Sequence, residues 1–185
     1  MTKRNFLVIF TCCLGLSLLL AAAAYAQPKV GDNVGNLEFS KPMSEADMKY
    51  LGLGKMDPFT LKDVKADYVL VDAFSTLCPH CVQQAPHLNK LYNLVSQNAK
   101  MKDKLKIVAT GYQDNDMKLN AWKAIQKVPF PLIPDMDGKV FNALKLPGTP
   151  VSVIVDKQGK VHWVHVGAFE NADEVLKEIK AALKL

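Results

Sequence analysis

The chain is short of arginine and of cysteine, and each shortage removes a class of function. Arg4 is the only arginine, and Cys78 and Cys81 are the only cysteines after residue 26. A structural zinc site usually needs four ligands, so this pair is at most half of one, and no further cysteine completes it. The chain also has no dense block of basic residues, which argues against a nucleic-acid partner.

The first 26 residues have the pattern of a secretory signal peptide. Lys3 and Arg4 precede an apolar run from Phe6 to Tyr25, and a small-residue A-x-A site ends at Ala26. This pattern predicts cleavage after Ala26, which leaves residues 27–185 as a single domain. Since about 20 apolar residues can span a bilayer, an uncleaved N-terminal membrane anchor is the alternative.

Export would set the redox environment of the protein. Cleavage would remove two of the 23 basic residues and none of the 18 acidic ones, which leaves a net charge of +3. It would also remove Cys12 and Cys13. In a periplasmic or other extracytoplasmic compartment disulfides persist, so the remaining cysteine pair is expected to handle disulfides of other proteins.

The segment Cys78-Pro79-His80-Cys81 lies between a predicted strand and a predicted helix. The apolar run Tyr68–Phe74 precedes it, and a helix from Pro79 to about Lys100 follows. The N–H groups and the dipole of the helix N-terminus would stabilise a Cys78 thiolate, so the pKa of Cys78 should be lowered. This arrangement predicts thiol–disulfide exchange. An inert structural disulfide is the alternative, but so short a loop gives it little entropic stabilisation.

The rest of the chain alternates helices with strands. A strand at 105–110 precedes a helix at 116–127, whose inward face we predict to be Met117, Ala121, Ala124 and Ile125. A short helix, a hairpin and a last helix follow, at 139–144, 151–166 and 171–183. This order predicts an α/β fold whose sheet is parallel at its start and antiparallel at its end.

Asp72 and the dipeptide Thr149-Pro150 are the candidate site residues outside the cysteine motif. Asp72 lies six residues before Cys78 in an apolar run, where a carboxylate is unfavourable unless it is used or paired. A buried Asp72 close to Cys81 could accept its proton during attack on a mixed disulfide, whereas a solvent-facing Asp72 would have no such role. A cis bond before Pro150 would expose backbone groups to an extended substrate chain.

These motifs together resemble a known family. The pattern Val71-Asp72-Ala73-Phe74, Cys78-Pro79-His80-Cys81, Ala85-Pro86 and Thr149-Pro150 resembles the thioredoxin fold. The segments Pro131–Gly138, Pro147–Pro150 and Ile154–Lys160 resemble its exported TlpA/ResA-like redoxin branch, over roughly residues 30–185.

The resemblance implies a fold and a set of roles. The fold would be a central mixed sheet flanked by helices, with an N-terminal extension and an inserted helix. The site would have Cys78 as nucleophile, Cys81 as resolving thiol and Pro150 as a cis proline, with no cofactor besides the Cys78–Cys81 disulfide. The activity implied is a membrane-facing disulfide reductase, often one that serves cytochrome c maturation.

The direction of electron flow is less clearly indicated. Leu77 stands where these families usually have tryptophan. Pro79 and His80 resemble the dipeptide of DsbA-type oxidases, and they are candidate residues for tuning the reduction potential of the pair. Asp72 acts in the other direction, because a nearby negative charge disfavours the Cys78 thiolate. We expect a reductase, with a DsbA-like oxidase as the alternative. The expected partners are client proteins with thiols or disulfides and a periplasmic or membrane redox partner, and a monomer is expected.

Two functions of other kinds fit the sequence less well. A peroxiredoxin would need Pro-x-x-x-Thr-x-x-Cys and an arginine, whereas Val71 and Ser75 replace the first two residues and no arginine follows Arg4. A copper carrier would suit thiolates and imidazoles. Related carriers, however, use a spacer one residue longer, and His162 and His165 should face opposite sides of their strand. We therefore predict no metal site.

Overall fold

A computed structural model describes residues 27–185 of the chain, and the predicted signal peptide lies outside the described residues. The strands are β1 (Glu38–Phe39), β2 (Phe59–Thr60), β3 (Tyr68–Phe74), β4 (Leu105–Tyr112), β5 (Leu132–Asp135), β6 (Val151–Asp156) and β7 (Val161–Val166). The helices are α1 (Glu45–Leu51), α2 (Pro79–Gln97), α3 (Asp116–Ile125), α4 (Lys139–Ala143) and α5 (Ala172–Leu183), with a 3₁₀ turn at Leu61–Asp63.

Five strands form a mixed sheet in the order β5-β4-β3-β6-β7, while β1 and β2 form a separate antiparallel pair. The β3–β4 and β4–β5 pairs are parallel, whereas β3–β6 and β6–β7 are antiparallel. The predicted mixed α/β fold is therefore confirmed. That residues 27–185 form one domain stays a prediction.

β3 is the central strand, and its alternating residues supply two separate cores. Leu70 and Phe74 pack with apolar residues of α2, α3 and α5, while Val69 and Val71 pack on the other face with α1, α4 and the β1–β2 pair. Because side chains alternate along a strand, Asp72 lies on the same face as Leu70 and Phe74. The sheet register therefore places this carboxylate under α2.

β5 is a strand that the sequence did not predict. Its Pro134 lies opposite Gly111 of β4, and β5 pairs with no strand on its other side. A proline lacks the N–H of a ladder hydrogen bond, so it is tolerated in an edge strand. The prolines that obscured the strand in the sequence are thus explained by its position at the edge.

The predicted inward face of α3 is wrong. Met117 and Ile125 are 74% and 73% exposed, and Ala121 and Ala124 are exposed as well. Two other residues turn inward. Leu119 fills the space above Gly111, where a Cβ atom would come within 2.5 Å of the leucine, and Trp122 packs on Phe74 with ring centroids 5.2 Å apart. The buried face of α3 is therefore the one that carries Leu119 and Trp122.

The N-terminal extension is held by the β6–β7 turn. The N–H of Gly31 donates to Val161 O and that of Val34 to Gly159 O, both at 2.9 Å. Gly159 has φ +81°, and a Cβ atom there would stand 2.0 Å from Gly35 O. A glycine is therefore required where the two segments cross.

The orientation of α3 gives a stability test. Leu119→Ala should lower the free energy of unfolding by about 2–5 kcal/mol, because it opens a cavity beside Gly111. Met117→Ala, the matched change on the exposed face, should alter it by less than about 0.5 kcal/mol. Urea denaturation of both variants measures the difference, and a larger loss for Met117→Ala would contradict this orientation of the helix.

Candidate active site

The cysteine motif begins where β3 gives way to α2. Cys78 is the N-cap residue of α2 and Pro79 is in its first turn. Proline suits this position, because its missing N–H would have had no partner within the helix. The free N–H groups of the first turn therefore surround the Cys78 sulfur.

The turn before Cys78 is fastened to the start of α3. The backbone N–H and the hydroxyl of Thr76 each donate to a carboxylate oxygen of Asp114 at 2.7 Å. Asp114 is only 1% exposed, and Lys118 pairs with it at 3.3 Å. This contact fixes the turn that presents Leu77, which is 82% exposed, beside the first cysteine.

The pKa of Cys78 lies below its ordinary value. Desolvation raises this pKa, but hydrogen bonds from Cys81, from the Thr149 side chain and from the backbone N–H groups of Cys81 and His80 together outweigh it. The thiol also lies 3.3 Å from Thr149 O, to which it can donate. Cys78 is partly exposed, so it combines an accessible sulfur with a stabilised thiolate.

Cys81 has the opposite environment. It is only 3% exposed, and burial raises the pKa of its thiol far above the ordinary value, with a further contribution from the neighbouring Cys78. Both cysteines are free thiols in this structure. The pair therefore consists of one nucleophilic sulfur and one that stays protonated until a base removes its proton.

Asp72 lies under α2 and is 2% exposed. Burial raises the pKa of Asp72 to about 6, although hydrogen bonds from Ser152 and Gln84 act in the other direction. Asp72 and Cys81 line one cavity that offers about 20 Å³ to the centre of a water molecule, enough for a single water. The carboxyl group and the buried thiol therefore line the same cavity, and the solvent-facing alternative for Asp72 does not hold.

Gln84 and Ser152 are site residues that sequence reasoning missed. Gln84 Nε2 donates to Asp72 Oδ1 at 2.8 Å, and the Ser152 hydroxyl donates to the same oxygen at 2.6 Å. They are 2% and 0% exposed. Each is a polar residue within an apolar stretch, Gln84 on the helix face that carries Cys81 and Ser152 between two valines, and this was the available signal.

The other predicted site residues surround Cys78 in different ways. Thr149 reaches the sulfur, and the Thr149–Pro150 peptide bond is cis. His80 is exposed, and its Nδ1 lies 3.2 Å from Gln83 Oε1, so the contact of its imidazole is along the helix surface. Of His80, only the backbone N–H takes part in lowering the pKa of Cys78.

The histidines of β7 are used in packing. His162 lies 2.8 Å from Asp156, and the His165 ring stacks on Trp163 with centroids 5.8 Å apart. Among residues 27–185, no group of three or more His, Cys, Asp and Glu side chains is placed to hold a metal ion.

The central mixed sheet and the cysteine pair at the start of α2 define the class of protein: a thioredoxin-fold thiol–disulfide oxidoreductase. The redoxin family model matches residues 34–183, so the chain belongs to the redoxin family, and within it the chain is TlpA/ResA-like.

The relatives that support this assignment are distant. The chain is 20% identical to thiol-disulfide oxidoreductase ResA of Halalkalibacterium halodurans over 67% of its own length and 66% of the relative's. It is 29% identical to ResA of Bacillus thuringiensis subsp. konkukian over 64% and 67%. It thus spans about two thirds of these relatives. StoA of Bacillus subtilis has the same fold, with a TM-score of 0.57 at 15% identity over 81% of this chain and 98% of StoA.

The pKa of Asp72 predicts a pH-dependent effect on stability. Because this pKa is about 6 in the folded protein and ordinarily 3.8, the stability that Asp72 contributes when protonated is lost as the pH rises through 6. At pH 8, Asp72→Asn should therefore be more stable than the wild type by roughly 3 kcal/mol. The difference should vanish near pH 3.5.

Urea denaturation at both pH values measures this effect. The control is Asp67→Asn, the same change at an exposed position just before β3. An Asp72→Asn variant that is no more stable than the wild type at pH 8 would show that the carboxylate is not destabilised by its burial.

Proposed function

We propose that this protein is an exported thiol–disulfide oxidoreductase that reduces disulfides of client proteins, with cytochrome c maturation as its setting. The observation that carries the proposal is the contrast between the two sulfurs. Cys78 is accessible and has a lowered pKa, whereas Cys81 is buried and has a raised pKa. A reductase needs this contrast, because the first sulfur attacks the client disulfide and the second later breaks the mixed disulfide to release the client.

The first step is attack by the Cys78 thiolate on a sulfur of the client disulfide. A bond forms between Cys78 Sγ and that sulfur, the client disulfide breaks, and the other client sulfur leaves as a thiolate. The Thr149 carbonyl lies 3.3 Å from Cys78 Sγ, and this proximity supports a role in pairing with an extended client backbone at this stage.

The second step is attack by Cys81 on Cys78. The proton of Cys81 passes to Asp72, and the resulting thiolate attacks Cys78 Sγ and breaks the mixed disulfide. The client leaves as a dithiol after its sulfurs take up two protons, one of which Asp72 returns through solvent. The protein is left with a Cys78–Cys81 disulfide. Two electrons from an extracytoplasmic or membrane redox partner must then restore the dithiol.

The contacts of His80 favour reduction over oxidation. In a strong oxidant a donor beside the nucleophilic sulfur stabilises the reduced form. Here the imidazole of His80 contacts Gln83, and a buried carboxyl group lies beneath the pair. Deprotonated Asp72 disfavours a nearby thiolate, so it acts against the strong stabilisation that an oxidase of the DsbA kind requires.

Export belongs to the proposal, with an uncleaved N-terminal membrane anchor as the alternative. The apolar run with a cleavage site before Gln27 supports secretion, and the disulfide chemistry suits an oxidising compartment. Within residues 27–185, none of the helices has the length and apolarity needed to cross a bilayer.

Cys81→Ser should trap the client. Without the resolving thiol, the mixed disulfide between Cys78 and a client persists and is seen on a non-reducing gel after capture from the native host. The same variant should lose most of its ability to reduce insulin with dithiothreitol as electron donor. Cys78→Ser is the matched control, and it should trap nothing. Capture by Cys78→Ser instead would show that Cys81 attacks the client, which contradicts the proposed roles.

The reduction potential of the pair tests the direction of electron flow. Equilibration with glutathione buffers should give a value closer to that of thioredoxin, about −270 mV, than to that of DsbA, about −120 mV. The control is His80→Ala, which should shift the potential little, because the imidazole contacts Gln83. A wild-type value near that of DsbA would reverse the proposed direction.

A further inference from the structure

We infer that Gln84 is a positioning residue that determines which oxygen of Asp72 receives the proton of Cys81. This inference rests on the proposed function, because it assigns a geometry to the proposed proton transfer. Gln84 lies three residues after Cys81 on α2, and both are buried on the helix face that covers β3.

The orientation of the Gln84 amide is fixed by its two partners. Its Oε1 accepts the backbone N–H of Phe169 at 3.3 Å, and its Nε2 donates to Asp72 Oδ1 at 2.8 Å. A backbone N–H can only donate, so the amide oxygen must face Phe169. The amide nitrogen must then face Asp72. The reverse orientation would place the amide N–H against the N–H of Phe169 and the amide oxygen against the carboxylate oxygen.

Both hydrogen bonds to Asp72 fall on one oxygen. Oδ1 accepts from Gln84 at 2.8 Å and from the Ser152 hydroxyl at 2.6 Å. Two donors stabilise negative charge on Oδ1 and leave no favourable position there for a proton. Among the contacts of the described residues, Oδ2 receives neither donor. The proton of neutral Asp72 therefore belongs on Oδ2.

This arrangement defines which atom of Asp72 receives the proton of Cys81. The proton leaves Cys81 Sγ for Oδ2 of Asp72, either directly or through one water in the cavity that the two residues share. The negative charge then moves from the carboxylate to the Cys81 sulfur, which attacks Cys78. Gln84 and Ser152 do not exchange protons. They hold the carboxyl group in one rotamer and lower the pKa that burial has raised.

Two other titratable groups lie close to this cluster. Cys81 of α2 lines the same cavity, and His165 of β7 lies opposite Ser152 in the sheet register. The His165 ring packs edge-on against Phe169 with centroids 5.6 Å apart. Burial, Ser152 and Gln84 are the influences that set the pKa of Asp72, and neither Cys81 nor His165 is among them.

The test is the titration of Asp72 itself. In the reduced protein, the ¹³C signal of its carboxyl carbon, assigned with Asp72→Asn, should show a midpoint near 6. Gln84→Met keeps the length of the side chain and removes the donor, so the midpoint should rise by about one pH unit. Gln97→Met, the same change at the exposed end of α2, should leave it unmoved.

A purely structural role for Gln84 would give a different result. Loss of the Phe169 contact alone would lower thermal stability without moving the Asp72 midpoint. Ser152→Ala removes the second donor and leaves the Phe169 contact intact, so it should also raise the midpoint. If Gln84→Met does not fold, Ser152→Ala and Gln84→Glu take its place. Gln84→Glu should raise the midpoint further, with titration in two steps. The shift should persist when His165→Gln is added.

The rate of the second step should follow the same midpoint. When the midpoint moves from about 6 to about 7, the fraction of Asp72 able to accept a proton at pH 6 falls about fivefold, and resolution of a preformed mixed disulfide should slow by that factor. An Asp72 midpoint that Gln84→Met and Ser152→Ala leave unchanged would overturn the inference. A wild type that fails to reduce disulfides would instead overturn the proposed function, and the carboxyl titration would still measure the effect of Gln84.

Discussion

The site depends on the hydrogen bonds that hold the carboxyl group of Asp72 beneath α2. Three elements must meet to accommodate it, since β3 carries the carboxyl group while α2 and β6 each supply a donor. A buried carboxylate without such partners would be strongly unfavourable. The two donors reduce this penalty but do not remove it, so the pKa of Asp72 stays raised, at about 6.

The two thiols differ in pKa because they lie one turn apart on the same helix. Cys78 lies at the end of α2, where the first N–H groups are free, and Cys81 lies one turn further on, inside the core. The same helix therefore activates one thiol and suppresses the other. The Thr76–Asp114 contact fixes the turn before Cys78 to the segment that leads into α3.

Sequence reasoning predicted the parts of the fold that depend on local patterns. The strand–motif–helix unit and the mixed sheet follow from apolar runs and turn residues, and the burial of Asp72 follows from its apolar neighbours. The inward face of α3 was not predictable, because this short helix has apolar residues on two faces. The buried face depends on distant partners, since Leu119 packs over Gly111 and Trp122 packs on Phe74. Ser152 reaches Asp72 through the sheet register, and Gln84 reaches it through the packing of α2 on β3, so both contacts join segments that are distant in sequence.

The hydrogen bonds between the N-terminal extension and the β6–β7 turn place the first described residues at one end of the central sheet. Asp156, at the start of that turn, pairs with Tyr68 at the beginning of β3, while Cys78 follows the opposite end of the same strand. The chain therefore enters the domain about 20 Å from the sulfurs. A tether attached before residue 27 would therefore leave the cysteine pair at the end of the central sheet away from the attachment.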